Sequence, residues 1–167
     1  DATTEADETF TVSLSNTPSI ESLGAPNTLV VTVQDRTTTP TLSISNASVV
    51  EGNTGTTTDA IFTTSLSAAT GRTVSFDFAT GNINAFGASK CNNVEGVDYI
   101  PASGSLSLQP GTTAIAVAVK ICGDTSAESN EAFRVVLSNV TGATFAVNQG
   151  IAIATIVNDD ALVLLLE

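Results

Sequence analysis

The chain has 167 residues, of which 17 are acidic and five are basic, and its formal net charge at pH 7 is −12. Nucleic acids and anionic membrane surfaces bind basic patches, so this charge argues against both as partners. No run of ~18 apolar residues occurs, so membrane insertion is not expected either. Threonine, serine, valine and isoleucine are abundant, which favours strands over helices.

A sequence pattern occurs twice in the chain. Residues 1–16 read D-x3-E-x2-E-x-F-x3-L-S-N, and residues 124–139 repeat this pattern 123 positions later. A fixed period defines the structural unit, and a period of about 120 residues suits a β-sandwich domain. We therefore expect residues 1–37 to be the C-terminal part of a preceding repeat and residues 38–160 to be one complete domain. Residues 161–167 are expected to be a tail or the start of another segment.

Alternating apolar and polar residues, separated by Gly, Asn, Ser and Pro, predict strands along the whole chain. In the first part the predicted strands are 10–15 and 29–34. In the complete domain they are 42–50, 60–67, 73–79, 103–108, 113–121, 131–138 and 150–157. No window shows helical periodicity, so the sequence predicts an all-β fold, a seven-stranded antiparallel β-sandwich.

Acidic residues are concentrated at one end of this predicted sandwich. If each strand runs opposite to the one before it, seven carboxylates meet at one end, whereas the other end is nearly free of acids. The seven residues are Glu51, Asp98, Asp124, Glu128, Glu131, Asp159 and Asp160. Converging carboxylates repel each other unless a cation lies among them.

The donor atoms favour calcium as that cation. The chain has no histidine, and oxygen donors alone suit a hard ion. Calcium accepts six to eight oxygens from irregular loops, whereas magnesium requires a tighter octahedron and keeps its water. The alternatives are that these acids cap turns, pair with Lys90 and Lys120, or simply keep the protein soluble.

Several motifs occur together in order along the complete domain. They are V-V-E-G at 49–52, G-V-D-Y at 96–99, S-G-S-L-S-L-Q-P-G at 103–111, G-D-T-x3-S-N-E-A-F at 123–133, L-S-N at 137–139 and T-I-V-N-D-D at 155–160. As a set they resemble a Calx-beta domain. The resemblance covers residues 40–160, and residues 1–35 resemble the last third of a preceding copy.

The resemblance implies a seven-stranded immunoglobulin-like sandwich of the type found in sodium–calcium exchangers and in many large extracellular proteins. It also implies calcium at the distal loops, held by the seven carboxylates, with the carbonyl of Ser126 as a backbone donor. Gly123, Ser129 and Asn158 stand where calcium-rich members carry acids, which implies fewer or weaker ions. In the first part, Arg36 aligns with Asp159. Only half a site is expected there, from Asp1, Glu5, Glu8 and Asp35.

The two cysteines, Cys91 and Cys122, are predicted to lie at the same end of the sandwich as the acids. An even pair in a secreted-looking domain suggests a disulfide, which would anchor the long loop 81–97 beside the acids. Two free cytosolic thiols are the alternative. A thiolate metal site would need more ligands than two sulfurs.

No catalytic apparatus is evident, so we do not expect an enzyme. Without histidine the chain has no Ser–His or Cys–His pair, and it has no tryptophan and one tyrosine, Tyr99, to serve as a sugar platform. We expect a calcium-binding structural or adhesion repeat of a large extracellular or cell-surface protein, with neighbouring repeats as partners.

Three further hypotheses stay open. The domain could be a calcium-independent stalk or protein–protein interaction module. It could also be a cytosolic calcium sensor, although a disulfide argues against that compartment. Finally, the two strands within residues 1–36 could join another chain by strand exchange.

Overall fold

The computed structural model describes residues 7–15, 26–33, 39–91 and 96–161. The chain forms two compact units, Asp1–Thr38 and Thr39–Glu167. Every regular element in the described residues is a strand, and none of these residues belongs to a helix that could cross a membrane. The predictions about Asp1, Glu5, Asp35 and Arg36, and about the tail beyond Ala161, lie outside the described residues.

The described residues of the first unit form a two-stranded antiparallel sheet. Its strands are β1 (Glu8–Ser13) and β2 (Thr28–Val33), which agree with the predicted strands apart from their ends. Phe10 pairs with Val31, so apolar residues lie opposite each other on one face. Threonines dominate the other face because side chains alternate along a strand.

The second unit is a β-sandwich of two sheets. Its described strands are β3 (Thr41–Ile44), β4 (Ala47–Val50), β5 (Thr57–Leu66), β6 (Val74–Asn82), β7 (Ser103–Leu108), β8 (Ala114–Cys122), β9 (Glu131–Thr141), β10 (Thr144–Phe145) and β11 (Ile151–Val157). One sheet has the order β10-β3-β5-β8 and the other has the order β4-β11-β9-β6-β7. The all-β sandwich prediction is confirmed.

The first predicted strand of this unit, 42–50, differs from the structure because it is divided between the two sheets. β3 pairs with β5 in one sheet, and β4 pairs in parallel with β11 in the other. Ser45 and Asn46 stabilise the crossover, since the Ser45 hydroxyl accepts the N–H of Thr63 and the Asn46 amide oxygen accepts the N–H of Ile153. With the short strand β10, which is parallel to β3, the described residues of the unit form nine strands.

The hydrophobic core extends to the end of the sandwich that carries the acids. The ring of Phe133 stacks on Tyr99 with a centroid distance of 4.3 Å, and it meets Phe62 edge to face. All three residues are buried. Tyr99 belongs to the connection between β6 and β7, and its hydroxyl donates a hydrogen bond to the side-chain oxygen of Asn82. The connection is therefore fixed to the core at the position next to Asp98.

Cys91 and Cys122 form the predicted disulfide, with a Cα–Cα distance of 5.3 Å. Cys122 is the last residue of β8 and is buried, whereas Cys91 lies in the long β6–β7 connection. The bond therefore attaches this connection to β8. Residues 92–95 of the predicted loop lie outside the described residues.

Removing this disulfide should destabilise the second unit. The double substitution C91A/C122A is expected to lower the free energy of unfolding by about 3–4 kcal/mol, because the cysteines are 31 residues apart and the bond restricts the unfolded chain. Urea unfolding under non-reducing conditions measures the change. A dithiol reductant should lower the stability of the wild type to that of the variant and leave the variant unchanged. Equal stabilities of variant and wild type would contradict this account.

Candidate metal centre

Four strand ends bring predicted ligands to one end of the sandwich. Glu51 follows β4, Asp124 follows β8, Glu131 begins β9, and Asp159 follows β11. β4 runs parallel to β11, and β9 begins opposite the end of β11, where Glu131 pairs with Ile156. We call this end the acidic pole. Its carboxylates are Glu51, Asp98, Asp124, Glu128, Glu131, Asp159 and Asp160.

Three of these carboxylates form a first group, Glu51, Asp124 and Asp160. One oxygen of each lies within 4.8 Å of the others. The loop backbone fixes Asp124, whose Oδ1 accepts the N–H of Ser126 at 2.7 Å. Asp159 lies next to this group, since its Oδ1 accepts the N–H of Gly52 at 3.2 Å. The group therefore joins the ends of β4, β8 and β11.

The other three carboxylates form a second group, Asp98, Glu128 and Glu131, whose oxygens also approach within 4.8 Å. Asp98 is buried and held on both sides. Its side chain accepts the N–H of Phe86 at 2.5 Å, and its carbonyl accepts the N–H of Cys122. The disulfide and the second group are therefore connected through one hydrogen bond.

Burial and mutual repulsion raise the pKa values of acids in both groups. Burial, followed by the charges of Asp124 and Asp160, raises the pKa of Glu51 to about 7. Burial raises the pKa of Glu131 to about 8, with further contributions from a hydrogen bond and the charge of Asp98. The pKa of Asp160 is also raised, by burial and then by Asp159 and Asp124. A fully ionised pole therefore destabilises the fold unless a cation neutralises it.

Three side-chain oxygens at the pole are buried and make no hydrogen bond within the described part of the chain. They are Glu51 Oε1, Asn158 Oδ1 and Asp160 Oδ2. Buried polar atoms are nearly always hydrogen-bonded. Buried oxygens that lack a donor here, beside a carboxylate group, therefore indicate a binding site for a cation or another ligand that oxygen atoms can coordinate.

Asn158 is a candidate ligand that the sequence analysis missed. Its side-chain NH2 donates to the carbonyl of Asp160 at 2.8 Å, and its backbone N–H donates to the side-chain oxygen of Asn130. These bonds fix the amide and leave its Oδ1 unpartnered among the described residues. In the sequence, Asn158 stands out only as a position without an acid, but an amide oxygen is also a calcium ligand.

Gly123 has a structural reason to lack a side chain. A Cβ at this position would lie 2.4 Å from the carbonyl oxygen of Gly52 and 2.6 Å from that of Asn53. An acid at position 123 would therefore require a shift of the main chain. The close approach of Gly123 to Gly52 also holds Asp124 near Glu51.

The alternative that the acids cap turns or pair with lysines is supported in part. Asp98, Asp124 and Asp159 each accept a backbone N–H and so stabilise turns. Lys120, by contrast, pairs with Asp59 at 2.8 Å, and Asp59 is not one of the predicted ligands. Turn formation therefore accounts for one oxygen of each of three acids and leaves the two carboxylate groups unexplained.

Comparison with known proteins finds the same fold. The family model for the Calx-beta domain matches residues 1–37 and 34–160. The apo-form Calx CBD1 domain superposes with a TM-score of 0.52 at 22% identity, covering 71% of this chain and 99% of that domain. CBD12 from CALX1.2 and the calcium binding domain CBD12 of CALX1.1 give TM-scores of 0.56 at 21% identity, again covering 71% of this chain. The match spans only 44% and 46% of those two chains.

The raised pKa values predict how the calcium-free protein responds to pH. The ordinary pKa of a glutamate is 4.5, so between about pH 4.5 and 8 the folded state binds more protons at Glu51 and Glu131 than the unfolded state does. The free energy of unfolding should therefore fall as pH rises through this window. Thermal melts in chelator between about pH 5 and 8 measure it.

The double variant E51Q/E131Q is the control for this pH dependence. It should melt at a temperature that changes much less across the window, because the two amides do not titrate. An equally steep fall in the double variant would show that other groups cause the effect. Hydrogen bonds from Ser105 and Asn139 lower the pKa of Asp77, so this residue changes the stability only at pH values below this window.

Proposed function

Because the chain belongs to the Calx-beta family, we propose that residues 38–160 form a calcium-binding structural or adhesion repeat. Calcium orders the loops of the acidic pole and stiffens a tandem array in a large extracellular or cell-surface protein. The observation that carries this proposal is the pair of carboxylate groups at one pole. Glu51 and Asp160 each retain a buried oxygen there without a hydrogen bond from the described residues.

The two groups correspond to two cation positions. Glu51, Asp124 and Asp160 hold one ion, and Asp98, Glu128 and Glu131 hold the other. Additional oxygens come from Asp159, the Ser126 carbonyl and Asn158. Because Glu51 and Glu131 each interact electrostatically with acids of both groups, an ion in either position lowers the repulsion in both. The set contains only oxygen donors on irregular loops, which suits calcium better than magnesium.

Stiffening follows from the strand ends that the ions connect. A cation in the first position joins the ends of β4, β8 and β11, which belong to both sheets. A cation in the second position joins the start of β9 to the β6–β7 connection. The bound ions restrict the conformations of the loops and cancel the repulsion between the carboxylates. The end of the domain next to Ala161 therefore becomes rigid.

Partners and location follow from the same features. The family model matches the chain in two segments, which supports neighbouring repeats as the partners of this domain. The Cys91–Cys122 disulfide supports an oxidising compartment, such as the cell exterior. Calx-beta is not a family of enzymes, in agreement with a structural role.

A calcium-independent stalk or protein–protein interaction module is the second candidate. Two observations favour it. Asp98, Asp124 and Asp159 already stabilise turns, and the disulfide already anchors the long connection. In this alternative the disulfide supplies the stiffness and calcium has no effect.

Calcium should raise the melting temperature of chelator-stripped, non-reduced protein. At a free calcium concentration a hundredfold above Kd, occupancy of one site stabilises the fold by about 2.7 kcal/mol, which raises the melting temperature of a domain of about 120 residues by roughly 10 °C. Calorimetric titration and parallel melts measure Kd and the shift. The substitution E51Q should weaken binding, whereas D59N removes a charge outside the pole and should bind as the wild type does. Flat heats and an unchanged melt would favour the calcium-independent stalk.

The role of Asn158 can be tested by adding a charge. N158D should tighten calcium binding and lower the stability of the calcium-free protein, because a further carboxylate joins the repelling group. N148D is the matched control, since Asn148 is exposed near the start of β11 at the other end of the sandwich. Unchanged calcium affinity in both N158D and N158A would show that Asn158 is not a ligand.

A further inference from the structure

Strand β8 is an edge of the sandwich that lacks the usual protection against pairing with another strand. The described edge strands of the second unit are β10 and β8 in one sheet and β4 and β7 in the other. β10 and β4 are short, with two and four residues, which limits their pairing. β7 is flanked by Pro101 and Pro110, which have no N–H to donate. β8 has nine residues without proline or glycine, and its first charged residue is Lys120.

The free hydrogen-bonding groups of β8 belong to three residues whose backbone faces away from β5. In an antiparallel pair, the backbone groups face the partner strand at every second residue. The Lys120 carbonyl faces away from β5, because it accepts the N–H of Ile100. Every second residue before Lys120 therefore has the same direction. These residues are Ala118, Ala116 and Ala114. Within the described part of the chain, the connection at 98–100 pairs with this side of β8 and reaches only as far as Lys120.

The same three alanines leave this edge sterically open. Their side chains are exposed on the outer face of the sheet, whereas Val117 and Val119 are buried in the core. A methyl group does not obstruct an approaching strand, so the backbone can form hydrogen bonds at each alanine. Ile115 lies on the inner face but is only partly buried, so a strand added at this edge would also cover an apolar side chain.

The distribution of charge indicates which strand fits this edge. No charged residue occurs between Asp98 and Lys120, a stretch that includes both β7 and β8. Lys120 itself is neutralised by Asp59. Because the chain has a net charge of −12, repulsion opposes most approaches of one copy to another, and it is weakest at this uncharged edge. A basic partner would instead be attracted to the acidic pole. The uncharged edge of an acidic protein therefore favours a second copy of the same strand.

We propose that the β8 edges of two copies pair antiparallel about a twofold axis at Ala116 and form a weak homodimer. Ala116 pairs with the same residue of the second copy, and Ala114 pairs with Ala118, each pair exchanging two hydrogen bonds. The two four-stranded sheets then form one continuous sheet. Pairing ends before Lys120, where Ile100 already occupies the edge. The contact is therefore small and weak, and many such contacts between two tandem arrays would add through multivalency. This dimer does not depend on calcium.

Sedimentation equilibrium of the 167-residue chain measures the association, at protein concentrations from about 1 μM to 1 mM and at physiological ionic strength. The mass should rise reversibly from that of a monomer towards that of a dimer. Amide hydrogen exchange at Ala114, Ala116 and Ala118 should slow over the same range, because these N–H groups become hydrogen-bonded. A monomer at every concentration would overturn the proposal. A dimer that protects β1 and β2 instead of β8 would also overturn it.

A pair of charge variants tests the position of the interface. A116K places two lysines opposite each other at the twofold axis and should weaken the dimer by roughly tenfold or more. T63K is the matched control, since Thr63 pairs with Ala116 and is exposed on the same face, but one strand away from the edge. T63K should dimerise as the wild type does. Equal dimerisation of A116K and T63K would overturn the proposal.

A backbone variant tests the hydrogen bonds themselves. A116P removes the N–H at the axis, and the monomer tolerates it because this N–H faces the free edge rather than β5. A116P should abolish the dimer while its melting temperature at low concentration stays close to that of the wild type. A folded A116P protein that dimerises as the wild type does would overturn the proposal, and A116K decides the question if A116P does not fold. All samples contain chelator, so failure of the calcium proposal would not affect these results.

Discussion

The close approach of Glu51 to Asp124 and Asp160 is the constraint on which the rest of the acidic pole depends. The backbone enforces it. β4 runs beside β11, Asn53 forms a bridge with Asp124, and Gly123 packs against the carbonyl of Gly52. These main-chain contacts hold the three carboxylates together, and the β4–β11 pairing belongs to a sheet that also carries core residues. The repulsion is therefore relieved by protonation, which raises the pKa of Glu51, or by a cation.

The hydrophobic core fixes the position of the acidic pole. Phe133 lies two residues from Glu131, and Tyr99 follows Asp98 directly, so the stacking of the two rings fixes both acids of the second group to the interior. The Cys91–Cys122 bond acts on the same connection from the other side. The pole is thus held in shape before any ion binds, and such preorganisation lowers the ordering cost of binding.

The period and the charge pattern of the sequence predict most strands and the gathering of the acids, whereas features that depend on three-dimensional contact leave no such pattern. Alternation located most strands, and the strand count placed the acids at one end. It could not show that Ser45 and Asn46 carry the chain from one sheet to the other, because those hydrogen bonds reach residues far along the chain. From the sequence, Asn158 is only a position that lacks an acid; the structure shows that its Oδ1 is buried and has no hydrogen-bond partner among the described residues.

In the calcium-binding repeat proposed above, the neutral residues Gly123 and Asn158 set how strongly the domain would depend on calcium. With glycine at 123 and asparagine at 158, the pole has fewer repelling charges than a pole with acids at both positions. The calcium-free domain is therefore less strained, and each bound ion relieves less repulsion. The disulfide adds stability that needs no ion. Together these features suit a repeat that folds without calcium and becomes stiffer with it, rather than one that unfolds when calcium is removed.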